Sequence, residues 1–266
     1  YFKQIYVLSL IMISKNEIKF LKSLNLLKFR EKHNMFKVEG WRSLKEFLSS
    51  DYKLVSIFAN SDWLHKKSEL LQKHSVSSKM IRKIQQRDLR SISSLKTPNQ
   101  IMGVFEKKSF SLNISSFKNE IGVFLEDIAN PGNLGSIIRT CDWFGVKKII
   151  CSNDSVDIYN PKVVQSSMGS LSRLSISYAN IDIVLSQIKK NNILSFVSDL
   201  NGEDVFSHER VLNGLIFFGN ESRGISKKIK EIATKKLTIP NKGVNCESLN
   251  LSVSFGIMIS QLLMNK

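Results

Sequence analysis

Three polar clusters in this 266-residue chain have the residue types and spacing for chemistry, and each follows an apolar run that reads as a buried strand. The first is "EDIANPGNLGSIIRT", in which Asn133 and Arg139 stand six residues apart behind two glycines. The second is "FFGNESRGISKK", in which Gly219, Asn220, Glu221 and Arg223 crowd the end of a strand. The third is "IPNKGVNCESLNLS", in which a Gly/Asn-rich loop after Ile239 leads to Glu247, Ser248, Leu249 and Asn250. An amide, a guanidinium and a carboxylate at the carboxyl ends of strands are the groups that orient a substrate and move a proton. Taken singly, each cluster has a plainer reading. The first is also a capped helix with a surface arginine: six residues turn a helix by about 600°, so Asn133 and Arg139 need not share a face. The second is also a tight turn, and the third a helix cap.

Other schemes are excluded by pattern. No G-x-x-x-x-G-K-[ST] phosphate loop and no G-x-G-x-x-G dinucleotide fingerprint occurs. There is no G-x-S-x-G nucleophile turn and no H-x-E with C-x-x-C of a zinc deaminase. Cys141, Cys151 and Cys246 are odd in number and have no C-x-x-C spacing, and the four histidines are scattered, so neither a disulfide framework nor a metal site is expected. This fits a reducing, cytoplasmic setting. No apolar run approaches the roughly 18 to 20 residues of a membrane helix.

The elements that must position the clusters alternate over residues 121–266. "IGVFLED", "VKKIICS", "ILSFVSD", "GLIFFGN" and "KKLTIP" read as strands, and "GNLGSIIRTCDWFG", "NPKVVQSSMGS", "IDIVLSQIKK", "ISKKIKEIA" and "SLNLSVSFGIMISQLL" as helices. Such alternation predicts an α/β domain with a parallel sheet covered on both faces. Residues 13–108 read as a smaller α/β unit, with one long helix over "NEIKFLKSLNLLKFREKHNMF". Residues 109–120, rich in Ser, Asn and Lys, read as a linker. Residues 1–12 form an N-terminal extension, with Met12 a plausible start and a first strand the plainer alternative.

Charge separates the two parts. The chain carries a formal +16, and residues 1–110 hold 22 Lys and Arg against 9 Asp and Glu. A basic module joined to a near-neutral one is the footprint of a polyanion grip attached to something else.

Together the clusters resemble the three signature motifs of the SpoU/TrmH branch of the SPOUT RNA methyltransferases. "NPGNLGSIIRT" resembles the first motif, "IFFGNESRG" the second and "IPNKGVNCESLNLSVS" the third, with "NPKVVQSSMGSLSRL" matching a family stretch between them. Residues 13–108 resemble, more loosely, the family's RNA-binding domain. The resemblance implies a SPOUT domain with a parallel sheet and a deep trefoil knot near the C-terminus. It implies a homodimer with the site at the subunit interface, S-adenosyl-L-methionine as methyl donor, no metal, and methyl transfer to a ribose 2′-hydroxyl of structured RNA. The extra basic domain leans towards rRNA over tRNA. By the same resemblance Arg139, Asn133, Glu221, Ser248 and Asn250 are the catalytic set, and Gly219, Asn220, Ile239 and Leu249 hold the donor. A catalytically silent RNA-binding relative, or a ribosome-assembly protein, is the alternative. Two departures stand out: the Ile239–Leu249 loop is one residue longer than in close relatives, and Ser254 and Phe255 stand where small Ala is usual.

Overall fold

Five runs of the C-terminal part pair into one sheet; the central ones, such as residues 121–125 and 214–218, are hydrophobic on both faces and need cover on both. In the computed structural model, which describes residues 11–264 except 244 and 246, the chain divides into two units. One comprises residues 109–158 and 173–264 of the described chain; the other comprises residues 11–108 together with the segment 159–172. The expectation for the N-terminal extension lies outside the described residues except at its last two positions.

The first unit in chain order runs β1 (Ile11–Met12), α1 (Lys15–Ser23), α2 (Leu27–His33), β2 (Met35–Glu39), α3 (Trp41–Leu48), β3 (Leu54–Ala59), α4 (Ser61–Lys73), β4 (Ile81–Lys83), α5 (Gln86–Ile92) and β5 (Ile101–Glu106). Its sheet has the order β1-β4-β3-β5-β2, with β5 antiparallel to both neighbours. Ser14 and Glu17 start α1 with a reciprocal cap, each side chain bonded to the other's main-chain N–H. The helix expected over residues 16–36 is two helices. The break at Leu24–Leu26 carries no Gly or Pro, and the buried Arg30 satisfies it by donating to the carbonyls of Leu24 and Asn25. The apolar spacing runs on across the break, but its residues do not share one buried face: Leu21 and Leu24 are buried, whereas Leu27 is exposed. The short β4 and α5, in a Lys/Arg-rich stretch, are additions to the sequence reading.

The second unit contains β6 (Ile121–Leu125), α6 (Pro131–Trp143) and β7 (Lys148–Ser152). The chain then passes α7 (Pro161–Ser166), which belongs to the first unit: Tyr159 packs on Phe36 with ring centroids 4.4 Å apart and its hydroxyl lies 3.1 Å from that of Tyr52. The segment expected to continue the C-terminal domain is thus part of the N-terminal one. The second unit resumes with β8 (Ser175–Ala179), α8 (Ile181–Asn191), β9 (Ser195–Asp204), β10 (Gly214–Phe218), α9 (Lys227–Ile232), β11 (Lys235–Thr238) and α10 (Leu251–Met264). Its six strands are all parallel in the order β11-β9-β10-β6-β7-β8. β8, in "LSISYA", is a strand the sequence reading passed over.

The stretch expected as a linker does more than link. Ile114 and Phe117 are buried in the core of the second unit, and a side chain on Gly122 would fall 2.1 Å from the Phe117 ring. Phe124, Leu215 and Phe217 complete that core with the α8 side chains Val184 and Ile188. Burial of each such side chain is worth about 1.5–3 kcal/mol.

Candidate active site

The order of strands places the site. From β6 the chain builds outwards through β7 and β8, then returns to lay β9, β10 and β11 on the other side. β6 and β10 are therefore the pair at which the direction of winding reverses, and in open parallel sheets ligands bind beyond the carboxyl ends of such a pair. The first two polar clusters leave the sheet there, at Glu126 and at Gly219.

Helix α6 begins where Asn130 caps it: its Oδ1 accepts from the N–H groups of Gly132 (2.8 Å) and Asn133 (3.2 Å), and Pro131 fills the first helical position. Asn133 is 8% exposed, on the first turn. Its side-chain amide donates to Glu221 Oε1 at 3.0 Å, and the Asn130 N–H reaches the same oxygen at 3.3 Å. Asn133 Oδ1 accepts from the Asn250 side-chain amide at 3.2 Å. Asn250 in turn caps α10, its Oδ1 accepting from the N–H (2.9 Å) and hydroxyl (2.7 Å) of Ser252. One buried amide thus joins all three clusters, Glu221 from the second and Asn250 from the third.

The second cluster is a hairpin closed by two main-chain bonds, Asn220 N–H to Gly224 C=O (3.1 Å) and the reverse (2.9 Å). Gly224 has φ +65°, and a side chain on Gly219 would lie 2.3 Å from the Gly224 carbonyl carbon. Gly219 is therefore demanded by the folding back of its own loop. The Asn220 Oδ1 accepts from the N–H groups of Ser222 and Arg223, and its Nδ2 donates to the Asp127 carbonyl at 2.7 Å. Asp127, at φ +53°, exchanges hydrogen bonds with Ser152, both at 2.7 Å. Arg223 donates to Asp127 Oδ2 at 3.0 Å and so serves as its ion-pair partner. Glu126 accepts from the Ser226 N–H at 2.8 Å, next to α9. Asp127, Ser152 and Asn130 are residues of this cluster that the sequence reading missed. The N-P pair at residues 130–131 is the signal that could have found Asn130.

Arg139 lies on the same helix, nearly two turns after Asn133, and the structure does not join it to the other three clustered side chains. It is exposed, while Asn133 is buried, and it forms no hydrogen bond or ion pair with the described residues. Ile239 is half-buried just beyond β11, with its carbonyl 3.5 Å from the Thr238 hydroxyl. Ser248 and Leu249 are exposed in the loop before α10. The main-chain groups of Leu249 and of the buried Gly219 are engaged by no described residue.

Two thiols can be set aside. Burial pushes Cys141 well above its ordinary value and Cys151 up to about 12, so neither supplies a thiolate near neutral pH. Among the described residues no group of three or more His, Cys, Asp or Glu is placed to hold a metal ion, and no helix is long and apolar enough to cross a membrane.

The SpoU rRNA Methylase family matches residues 120–260, more than half of the chain. The chain belongs to that family. Residues 15–103 match the MRM3-like substrate binding domain. The chain is 25% identical over 254 residues to the 23S rRNA (guanosine(2553)-2′-O)-methyltransferase RlmP of Bacillus subtilis, covering 94% of this chain and 97% of that one. An uncharacterized tRNA/rRNA methyltransferase of Archaeoglobus fulgidus is 29% identical over 145 residues, 54% of this chain and 64% of its own length, just under two thirds. A structure from Porphyromonas gingivalis assigned to the TrmH family of RNA methyltransferases superposes with a TM-score of 0.82 at 29% identity, covering 96% of this chain and 100% of that one. An AdoMet-bound rRNA methyltransferase from Sinorhizobium meliloti shares the fold, with a TM-score of 0.82 at 22% identity.

Proposed function

We propose that this chain transfers a methyl group from S-adenosyl-L-methionine to a ribose 2′-hydroxyl of ribosomal RNA. The observation that carries the reading is the Glu221–Asn133–Asn250 relay at the reversal of the sheet, with Arg139 unpaired on the helix that Asn133 begins. The near full-length match to a 2′-O-methyltransferase of 23S rRNA supports the reaction and the substrate class.

The residues fit the donor. Gly219 and Leu249 offer main-chain groups that no described residue uses, one of them in a buried residue, where an unpaired polar group asks for a partner. Ile239 and the 47%-exposed Leu249 add apolar surface for a flat base. When bound, the donor supplies an electrophilic methyl on a sulfonium. Asn220 holds the hairpin that presents Gly219, through its three hydrogen bonds. Ser248 and Asn250 hold the loop that presents Leu249, and Asn133 and Glu221 clamp both loops to α6. Alignment of this kind supplies about 7–11 kcal/mol of a barrier.

Arg139 meets the ribose. Its guanidinium stays protonated, so it does not take the proton; it donates to the developing alkoxide or the adjacent phosphate, and the proton leaves to phosphate or water.

The reading includes a homodimer and the knot, in a cytoplasm that holds the RNA. α10 carries no charged residue in 14, yet leaves Val253 50% and Met264 66% exposed. An uncharged helix with exposed apolar side chains wants cover, which a second copy supplies. For the knot, the support is that the chain returns from β11 at the sheet edge to Asn133 at the central reversal. Calorimetry with the donor tests the reading: micromolar binding is expected, and no detectable binding would refute it.

A further inference from the structure

Asp127, the second residue beyond β6, has φ +53°, a left-handed conformation that glycine adopts freely and other residues seldom. Asn34 and Asn192 do the same to end helices; Asp127 does so at the reversal of the sheet. Its N–H donates to Ser152 Oγ and its Oδ1 accepts from the same hydroxyl, both at 2.7 Å, at the end of β7. Its carbonyl accepts from Asn220 Nδ2 at 2.7 Å and its Oδ2 from Arg223 Nη2 at 3.0 Å, both on the hairpin beyond β10. The next residue is pinned as well: the Ile128 N–H donates to Ser155 Oγ at 3.1 Å, and its carbonyl accepts from the Val156 N–H at 2.9 Å. One residue thus links the carboxyl ends of three neighbouring strands, β7, β6 and β10. Strained backbone persists where the surrounding bonds over-determine it. Glycine would sit there unstrained, so what the aspartate adds is its two carboxylate oxygens.

We propose that Asp127 is a positioning residue for the donor. Its carboxylate locks the turn to Ser152 and Arg223, and the carbonyl of that turn holds Asn220, so the Gly219 main chain is presented at a fixed place. The proposal rests on the reading of Gly219 as a donor contact. The hairpin needs this second hold. Glu221 ties it to the start of α6 by accepting from Asn133 and the Asn130 N–H. Among the described residues, the side chains of Asn220 and Arg223 reach outside the hairpin only to Asp127. One tie leaves a hairpin free to pivot, and two fix it. The ties of the carboxylate differ in strength. The Arg223 side chain is 72% exposed, so its ion pair is screened and adds little. Ser152 is buried and keeps its bonds out of water.

The test uses the full chain, calorimetry with S-adenosyl-L-methionine, and hydrogen exchange at the Asn220 and Gly224 N–H groups, which bond across the hairpin. Asp127→Gly removes the carboxylate and relieves the backbone. It is expected to keep the parent's Tm, yet bind the donor about tenfold more weakly and exchange faster at both N–H groups. Asp127→Ala keeps the strain and is expected to lose Tm and affinity together. Asp127→Asn still accepts from Ser152 but not from Arg223. It is expected to bind within about threefold of the parent, as is Arg223→Ala, and the double variant no more weakly than either. On unmodified rRNA, Asp127→Gly raises the KM for the donor and leaves kcat close to the parent's, a split that a general loss of fold would not give. Parent-like donor affinity in Asp127→Gly would overturn the proposal, as would a fall in kcat with KM unchanged. A parent chain that binds no donor refutes the donor reading itself; unchanged exchange in Asp127→Gly refutes the hold on the hairpin independently of it.

Discussion

Asn133 ties together loops that lie 88 and 117 residues away in sequence, which makes it the most informative side chain to change. Asn133→Ala leaves Glu221 and Asn250 each short of a partner, at about 1–3 kcal/mol. Donor binding should weaken about tenfold or more by calorimetry. Asn133→Asp should be worse, because a second carboxylate then faces Glu221 Oε1 and cannot donate to it. Equal donor affinity in both variants would break the relay's claim to position the loops. Arg139→Ala should lower methyl transfer by about two to three orders of magnitude with donor affinity unchanged; retained turnover would remove Arg139 from the ribose. A third residue sits away from the site. Lys37 is buried and donates to the Ile92 carbonyl. Burial, partly offset by Glu39, lowers it from 10.5 to about 8. The unfolded chain therefore binds the extra proton between about pH 8 and 10.5, and folding regains stability as pH rises through that window. The full cost below pH 8 is about 3 kcal/mol. Lys37→Met should raise Tm at pH 7 and lose its advantage near pH 10.5; a gain independent of pH would assign it to packing.

At the scale of elements, the strands of the second unit other than β8 were legible, the central ones because its sheet is parallel and they are buried on both faces. Runs such as "IGVFL" and "GLIFF" are apolar on both faces and stand out against amphipathic helices. The site was legible as three clusters, and the resemblance supplied their assembly. What joins them was not: the bond from Asn133 to Asn250 depends on the path of the chain after β11, which no local pattern encodes. The break between α1 and α2 escaped because Arg30, a distant polar side chain, satisfies it in place of Gly or Pro. The place of residues 159–172 escaped because it is set by a tertiary contact, Tyr159 against Phe36. Gly219 tests the hairpin as an element. Gly219→Ala places a methyl 2.3 Å from the Gly224 carbonyl carbon, so the loop must open. Thermal stability and donor affinity should fall together; a variant as stable as its parent would show that the loop has room to yield.

At the scale of the molecule, the excess of 22 Lys and Arg over 9 Asp and Glu in residues 1–110 acts as a long-range field. Deleting those residues would be a poor test, since α7 and Tyr159 belong to the same unit and would be left without their packing. Reversing the exposed Lys66 and Lys67 on α4 removes charge without removing structure. The slope of log affinity for rRNA against log salt should flatten by about 0.9 for each phosphate no longer neutralised, and an unchanged slope would place the grip elsewhere. The central claim is ribose methylation itself. Incubation of the full chain with S-adenosyl-L-methionine and unmodified ribosomal RNA, followed by mapping of 2′-O-methyl groups at nucleotide resolution, tests it most directly. The account predicts one new ribose methylation, absent with Arg139→Ala; a methyl on a base, or none on any ribose while the donor binds, would contradict it.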